Sequence, residues 1–292
     1  MVEAGGDVGG RRLTMIRGQF SRGISRRACL GLAAALLLPA PALGKARARR
    51  RAPARNLPLV VLDPGHGGKD PGAIGVNRIQ EKRITLAAAL ELKRQLEAAG
   101  RCRVALTRTR DVFVPLGSRV EFARRREATL FLSLHADSAP SVAARGASVY
   151  TLSETASDRL AAALAQRENQ ADRAGGLRLP SVSPEVQRIL ISLIRQETRL
   201  GSERLAQLAV RSLDDAVAML PNSHRRAGFV VLKAPDVPAV LVELGFLSHP
   251  QDAAALARPQ HRARLAGALV QAVHGFLAAG PLAEMGHGAA LA

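Results

Sequence analysis

Tryptophan is absent from this chain, Tyr150 is its single tyrosine, and aromatic residues make up only 3% of it. Platforms for single-stranded nucleic acid need several aromatic faces along a basic groove, so this composition argues against nucleic acid as a partner. Cysteine is scarce as well, with only Cys29 and Cys102. Cys29 falls in an N-terminal segment expected to be removed, which leaves Cys102 alone and excludes an internal disulfide even in an oxidising compartment. Its place before the strand-like Val104-Ala105-Leu106 makes it a small core hydrophobe. The apolar run Leu30 to Leu38 is too short to anchor the chain permanently in a bilayer. Acidic residues are the minority charge, 24 against 42 basic ones. The excess suits an anionic partner such as acidic lipid or an anionic wall polymer, and arginine spread over solvated faces accounts for it equally well.

What is present begins with a targeting pattern. Ser25-Arg26-Arg27-Ala28-Cys29-Leu30 is a twin-arginine pair followed by the apolar run, and Ala42-Leu43-Gly44 offers small residues for cleavage. Residues 1–44 are therefore expected to be a twin-arginine signal peptide. The mature protein would begin near Lys45, in the periplasm. Residues 45–57 form a basic, proline-bearing linker, residues 58–279 one domain, and residues 280–292 a tail expected to be disordered. In a chain of 292 residues, 47% of them apolar, such a domain can bury a real core.

Leu59-Val60-Val61-Leu62-Asp63-Pro64-Gly65-His66-Gly67-Gly68 organises that domain. The uncharged apolar run reads as a buried strand, and Pro64 with the glycines stops it abruptly, leaving His66 at the strand's end. Glycine on both sides lets a metal ion or substrate approach the imidazole closely. After a polar loop, Glu81 opens a helix whose apolar face includes Ile84, Ala89, Leu92 and Leu96 and whose cap is Gly100. A carboxylate in a helix's first turn is favoured by the macrodipole, and it can equally serve as a ligand at the sheet edge beside His66. Cys102 to Thr107 is the next strand, followed by a helix from Leu116 to Arg126. Thr129 to His135 is then an apolar strand that again ends in histidine. Ligands in open α/β sheets sit outside such strand ends, so the repeated placement points to convergence of the two imidazoles.

Beyond a short strand from Gly146 to Leu152 the pattern is helical. A stripe of Val186, Ile189, Leu190, Leu193 and Ile194 runs between Pro184 and Gly201, and Ser202 caps a longer helix with a buried face from Leu205 to Leu220. Phe229 to Leu232 and Ala239 to Leu244 read as two further strands. In the second, Glu243 is the one carboxylate of an apolar run. Burying it unpaired costs several kcal/mol, so a metal, an arginine or a shifted pKa must compensate. His66, Glu81 and His135 make the ligand set of a catalytic zinc with an open position, and Glu243 suits the carboxylate that takes a proton as water becomes the nucleophile.

At these residues the chain resembles the zinc-dependent N-acetylmuramoyl-L-alanine amidases of the Amidase_3 type, including periplasmic cell-division enzymes. The matching motifs are Asp63 to Ala73, Glu81-Lys82, Ser133 to Asp137 and Val242 to Ser248, in order, within a resemblance running from about Leu57 to Leu277. It departs at Asn77-Arg78-Ile79 and at His249, both in loops. The resemblance implies a single α/β domain with a twisted, mostly parallel sheet of about six strands and helices on both faces. It implies zinc held by His66, Glu81 and His135, with Glu243 as catalytic carboxylate. The reaction implied is hydrolysis of the amide between N-acetylmuramic acid and the L-alanine of the peptidoglycan stem, in wall remodelling and daughter-cell separation. Residues 155–201 resemble an insertion in which a helix covers the zinc until an activator protein displaces it. Glu185 or Glu197 is then the expected blocking carboxylate. Two alternatives stand beside this reading: a non-catalytic peptidoglycan-binding module, to which Glu243 would bring nothing, and a zinc peptidase cutting within the stem peptide. No role falls to His224, His249, His261, His274 or His287 beyond surface or cap positions.

Overall fold

A computed structural model of the chain describes residues 57–139, 141, 143–174 and 196–280. The expected signal segment, the expected linker up to residue 56, the stripe from Val186 to Ile194 and the expected tail beyond Gly280 lie outside the described residues. Six strands form one sheet: β1 (Leu59–Pro64), β2 (Arg103–Leu106), β3 (Leu130–His135), β4 (Ala147–Leu152), β5 (Met219–Ala227) and β6 (Ala239–Glu243). Their order is β2-β1-β3-β6-β4-β5. The first four neighbours are all parallel, β4 runs antiparallel to β6, and β5 is parallel to β4. The expected sheet is present, with six strands and a single antiparallel junction. Among the described residues, no helix is long and apolar enough to cross a membrane.

Alternation along the strands explains why they read as continuous apolar runs: both faces are covered. One face shows Val60, Leu62, Leu130, Leu132, Leu134, Val240 and Val242 to three helices, α1 (Glu81–Ala99), α5 (Gln196–Asp214) and α7 (Pro259–Ala278). The other shows Leu59, Val61, Phe131, Ala239 and Leu241 to α2 (Leu116–Arg124) and α3 (Arg159–Glu168). Short α4 (Ala171–Ala174) follows α3, and α6 (Pro250–Ala257) precedes α7. Gly100 ends α1 at a φ of 66°, and its N–H reaches the Leu96 and Glu97 carbonyls, the αL cap that glycine supplies at least cost. Cys102 is buried in the core, and burial, helped by Glu97, pushes its thiol up to about 11.

Three expectations are corrected. Phe229 to Leu232 is not a strand; Val230–Leu232 is a single 3-10 turn. The strand at that edge is β5, in a stretch where the helical reading continued to Leu220, whereas α5 stops at Asp214. Pro221 and the polar run from Asn222 to Arg226 hide β5, because an edge strand paired on one side needs neither alternation nor every N–H. β5 is also bulged: Ala147 pairs with Met219 and Val149 with His224, two steps on β4 against five on β5, with Asn222 at a φ of 52°. Ser202 caps nothing, since α5 is already helical at Gln196. Its hydroxyl instead donates to the Thr198 carbonyl (2.9 Å) and accepts the Ala239 N–H (3.0 Å), tying α5 to the start of β6.

Gly201 lies inside α5 because Pro238 packs against it: a Cβ there would stand 2.8 Å from Pro238 Cγ. Gly267, within α7, meets only Gln95 Oε1, 3.6 Å from such a Cβ. Thermal unfolding should therefore separate the two. Gly201→Ala is expected to cost about 1–3 kcal/mol through overpacking, and Gly267→Ala to add about 0.5–1 kcal/mol through helix propensity.

Candidate metal centre

Strand register creates the site. Ser133 pairs with Asp63, and His135 with Glu243, on neighbouring parallel strands. All four side chains share the parity of Phe131 and Leu241, so they belong to the α2 and α3 side of the sheet at its C-terminal edge. β1 runs out at Pro64, and the turn after it holds His66 at a φ of 60°, a left-handed conformation that a non-glycine residue adopts only where the surroundings enforce it. Gly65 must be glycine for a direct reason. The His135 ring lies over it, and a Cβ would stand 2.4 Å from Cε1.

His66, Glu81, His135 and Glu168 each offer one ligand atom to a common point, all within 4.8 Å of one another, and all four residues are buried. His66 Nε2 lies 3.1 Å from Glu81 Oε2 and 3.3 Å from Glu168 Oε2. His135 Nδ1 lies 3.1 Å from Glu81 Oε1 and 3.0 Å from Glu168 Oε2. Glu81 is aimed by the backbone, its two oxygens accepting the Ala73 and Ala136 N–H groups, both at 2.9 Å. Outside the cluster, His66 Nδ1 donates to Asp70 Oδ2 at 2.7 Å, and His135 Nε2 meets Ser133 Oγ at 3.2 Å. Each imidazole thus turns one nitrogen inward and has the other held from behind, the arrangement seen around metal-bound histidine.

Electrostatics agree with the geometry. Burial alone would lower both imidazoles; Glu81 and Glu168, joined at His66 by Asp70, overcome it and hold both well above the usual histidine value. Against burial, His66 and His135 hold Glu81 well below its usual value and bring Glu168 down to about 2. Two carboxylates are balanced by two positive charges, which a divalent cation supplies equally well while displacing the imidazole protons. His66 Nε2 and Glu168 Oε2 have only the ion-pair contacts just given, and Glu168 Oε1 and Glu243 Oε1 have no hydrogen-bond partner among the described residues. Such orphans are costly unless something further binds them. The donor set of nitrogen and carboxylate oxygen suits a tetrahedral divalent metal ion.

Glu243 lies beside the cluster. Its Oε2 accepts the Asp137 N–H at 3.0 Å, and no arginine reaches it among the described residues. Burial, then the charges of Asp137, Glu81 and Glu168, keep its carboxyl well above the ordinary range. Asp137 is pushed up to about 7 by burial and by Glu168 and Glu81, with Arg167 pulling it back through a 2.7 Å ion pair.

The structure therefore brings His66, Glu81, His135 and Glu243 to one place. Of the two expected blocking carboxylates, only Glu197 can be placed, and it is not at the cluster. Glu185 lies outside the described residues. Glu197 stands in the first turn of α5, lining a cavity with Pro58, Thr129 and Pro238 at the strands' N-terminal ends. That is a strand's length, about 20 Å, from His135. Among the described part of residues 155–201, Glu168, the last residue of α3, is the carboxylate that reaches the cluster. Nothing in its sequence setting marks it, since only the tertiary docking of α3 brings it there. Asp70 and Ser133 were also passed over, although Ser133 announces itself as a polar residue two before His135 in an apolar strand. Of the histidines without an assigned role, His249 caps α6 through Nδ1, and His224 sits 3.6 Å from Glu203.

A mostly parallel sheet that collects imidazoles and carboxylates beyond its strand ends defines an α/β domain with a buried group that could hold a metal ion. Comparison with known proteins carries this further. A family model described as N-acetylmuramoyl-L-alanine amidase (Amidase_3) matches residues 60–275, and the chain belongs to that family. It is 39% identical over 238 residues to the N-acetylmuramoyl-L-alanine amidase AmiC of Neisseria meningitidis, a match covering 81% of this chain and 55% of that protein. It is 38% identical over 216 residues to AmiA of Salmonella typhimurium, covering 74% of each. The chain thus spans little more than half the length of the meningococcal relative. Among solved structures, AmiC2 of Nostoc punctiforme superposes with a TM-score of 0.56 at 27% identity, covering 76% of this chain and 97% of that one. The catalytic domain of CwlV from Bacillus (Paenibacillus) polymyxa var. colistinus gives a TM-score of 0.56 at 25% identity, covering 76% and 99%.

Proposed function

We propose that this chain is a zinc-dependent amidase that hydrolyses the bond between the lactyl group of N-acetylmuramic acid and the L-alanine of the peptidoglycan stem. The observation that carries the reading is the convergence of buried ligand atoms from His66, Glu81, His135 and Glu168 within 4.8 Å of one another, next to a buried acid, Glu243, whose Oε1 has no hydrogen-bond partner among the described residues. His66, Glu81 and His135 would hold the zinc. When bound, zinc supplies Lewis acidity toward the scissile carbonyl and toward water. Asp70 and Ser133 keep the imidazoles in the tautomers that present a lone pair inward. Glu243, with one oxygen fixed by the Asp137 N–H and the other unpaired, takes a proton from the attacking water. Its raised proton affinity then lets it hold that proton until the alanine nitrogen departs with it. A binding module would gain nothing from so costly a carboxylate, and family membership favours the amidase over a peptidase acting within the stem.

Glu243→Gln should abolish hydrolysis while zinc content stays near that of the unaltered protein. Mass spectrometry of digested peptidoglycan should show free stem peptides; shortened muropeptides would instead mark a peptidase, and loss of zinc in the variant would reassign Glu243 as a ligand.

The same reading makes the chain self-inhibited. Glu168 Oε2, 3.0 Å from His135 Nδ1, fills the position that substrate needs. α3 is held there by Arg167 on Asp137, and by Asn169, whose side chain donates to the Gly228 carbonyl and accepts the Val230 N–H, both at 2.8 Å. An activator protein that pulls α3 away would open the site during daughter-cell separation. Glu168→Ala should raise basal activity on purified peptidoglycan several-fold; unchanged or lower activity would count against a blocking role.

We further propose periplasmic action after twin-arginine export, supported by the pattern from Ser25 to Gly44. The exported protein should begin near Lys45 on N-terminal sequencing, and replacing Arg26 and Arg27 by lysine should leave it in the cytoplasm. An uncleaved cytosolic product of the unaltered gene would overturn the route.

A further inference from the structure

Behind His135 the structure continues inward through groups outside the cluster of His66, Glu81, His135 and Glu168. Ser133 Oγ lies 3.2 Å from His135 Nε2 and 2.8 Å from Asp63 Oδ2. Asp63 is wholly buried, and its other oxygen accepts from Thr107 Oγ1 (2.5 Å) and from Arg119 Nη1 (2.8 Å). Arg119 is only 1% exposed although it stands on α2. Its guanidinium also donates to the Pro64, His66 and Val114 carbonyls, each at 2.8 Å. One arginine therefore fixes the orientation of Asp63 and clamps the left-handed turn that presents His66.

We propose that Asp63, oriented by Arg119 and Thr107, is a positioning residue that dictates through Ser133 which nitrogen of His135 is free to bind metal. The inference rests on the zinc reading above. The reasoning is one of donors and acceptors. An ionised carboxylate only accepts, so the Ser133 hydroxyl must donate to Asp63 Oδ2. The oxygen of Ser133 is then left to accept, which requires the proton of His135 on Nε2. Nδ1, the nitrogen facing Glu81 and Glu168, keeps its lone pair for a metal. Arg119 and Thr107 hold Asp63 ionised in spite of burial, which keeps this direction of donation fixed.

Replacing Asp63 by asparagine reverses the relay with little change of shape. Arg119 and Thr107 both donate to the Oδ1 position, so the amide oxygen must lie there and the NH2 must face Ser133. Ser133 then accepts from the amide and donates to His135 Nε2, which drives the imidazole proton to Nδ1, where it blocks the metal. The test is zinc affinity of the full chain by competition with a chromophoric chelator, each variant held well below its own unfolding temperature. Asp63→Asn and Ser133→Ala should each weaken zinc at least tenfold, within the 10–100-fold typical of groups that support metal ligands. Combining them should weaken zinc no more than Ser133→Ala alone, because without the hydroxyl Asp63 has no route to His135. Unchanged affinity in Asp63→Asn, or a double variant whose loss is the product of the single losses, overturns the relay in favour of a general structural role. Should Asp63→Asn fail to fold, Ser133→Ala decides: a tenfold loss supports the relay and unchanged affinity overturns it. An unaltered chain that takes up no zinc overturns the metal reading and the relay together, whereas one that binds zinc alongside unaffected variants overturns only the relay.

Discussion

Everything near the catalytic edge answers to one electrostatic constraint: Glu81 and Glu168 are buried with donor atoms inside a sphere only a few ångströms across. Two carboxylates out of water repel each other and lose hydration, a cost of several kcal/mol per charge unless opposite charge lies within contact distance. The fold offers two imidazoles for that purpose, and either two protons or one divalent cation can satisfy the balance. The glycine turn after β1, the equal lengths of β1 and β3, and the entry of α1 at Glu81 are separate solutions to the same problem of bringing those groups together. Arg108 belongs with them. Buried, it donates to the Pro64 carbonyl at 2.9 Å and the Gly65 carbonyl at 2.7 Å, sharing the Pro64 carbonyl with Arg119.

α3 stands in a different relation to the core. Its apolar side, Ala161, Leu164 and Ala165, joins the face of the sheet that carries Phe131, Tyr150 and Leu241, and its C-terminal end is fastened by polar contacts. Arg167 is partly exposed, so its ion pair with Asp137 contributes about 1 kcal/mol or less. The two Asn169 hydrogen bonds contribute roughly 0.5–1.5 kcal/mol each. Beyond α3, Asp172 of α4 accepts the Leu116 N–H at 2.8 Å and so caps α2, the helix that carries Arg119. The segment that carries Glu168 and the helix that clamps the His66 turn thus meet at one helix terminus. A partner protein burying an ordinary interface could supply enough free energy to exchange these contacts for its own.

How much of this was legible in the sequence depended on whether a residue acts through its neighbours along the chain. Val60 to Leu62 and Leu130 to Leu134 declare buried strands by composition alone, and the polar residues that end them, His66 and His135, follow from where those strands stop. Glu243 was visible because a carboxylate in an apolar run must be explained. The order of the strands, and hence the pairing of His135 with Glu243, is not a local property. Arg119 and Arg108 could not be distinguished from the other arginines of a basic chain, since their burial is set by the turn they clamp. Glu168 is hidden for the same reason, and a helical pattern around Glu197 does not say which end of the sheet that helix adjoins. β5 escaped because proline, asparagine and paired arginines are what a sheet margin tolerates.

That margin has a consequence for the protein's life at high concentration in a crowded compartment. A six-stranded sheet presents two rows of unsatisfied amides to any second copy that can align with them, the first step toward aggregation. Here one row, β2, is only four residues long, and the other is broken by Pro221 and bent at Asn222 and carries the exposed Arg226. Neither offers a flat template long enough to recruit another strand, so the irregularity that obscured β5 also keeps neighbouring molecules from zipping together.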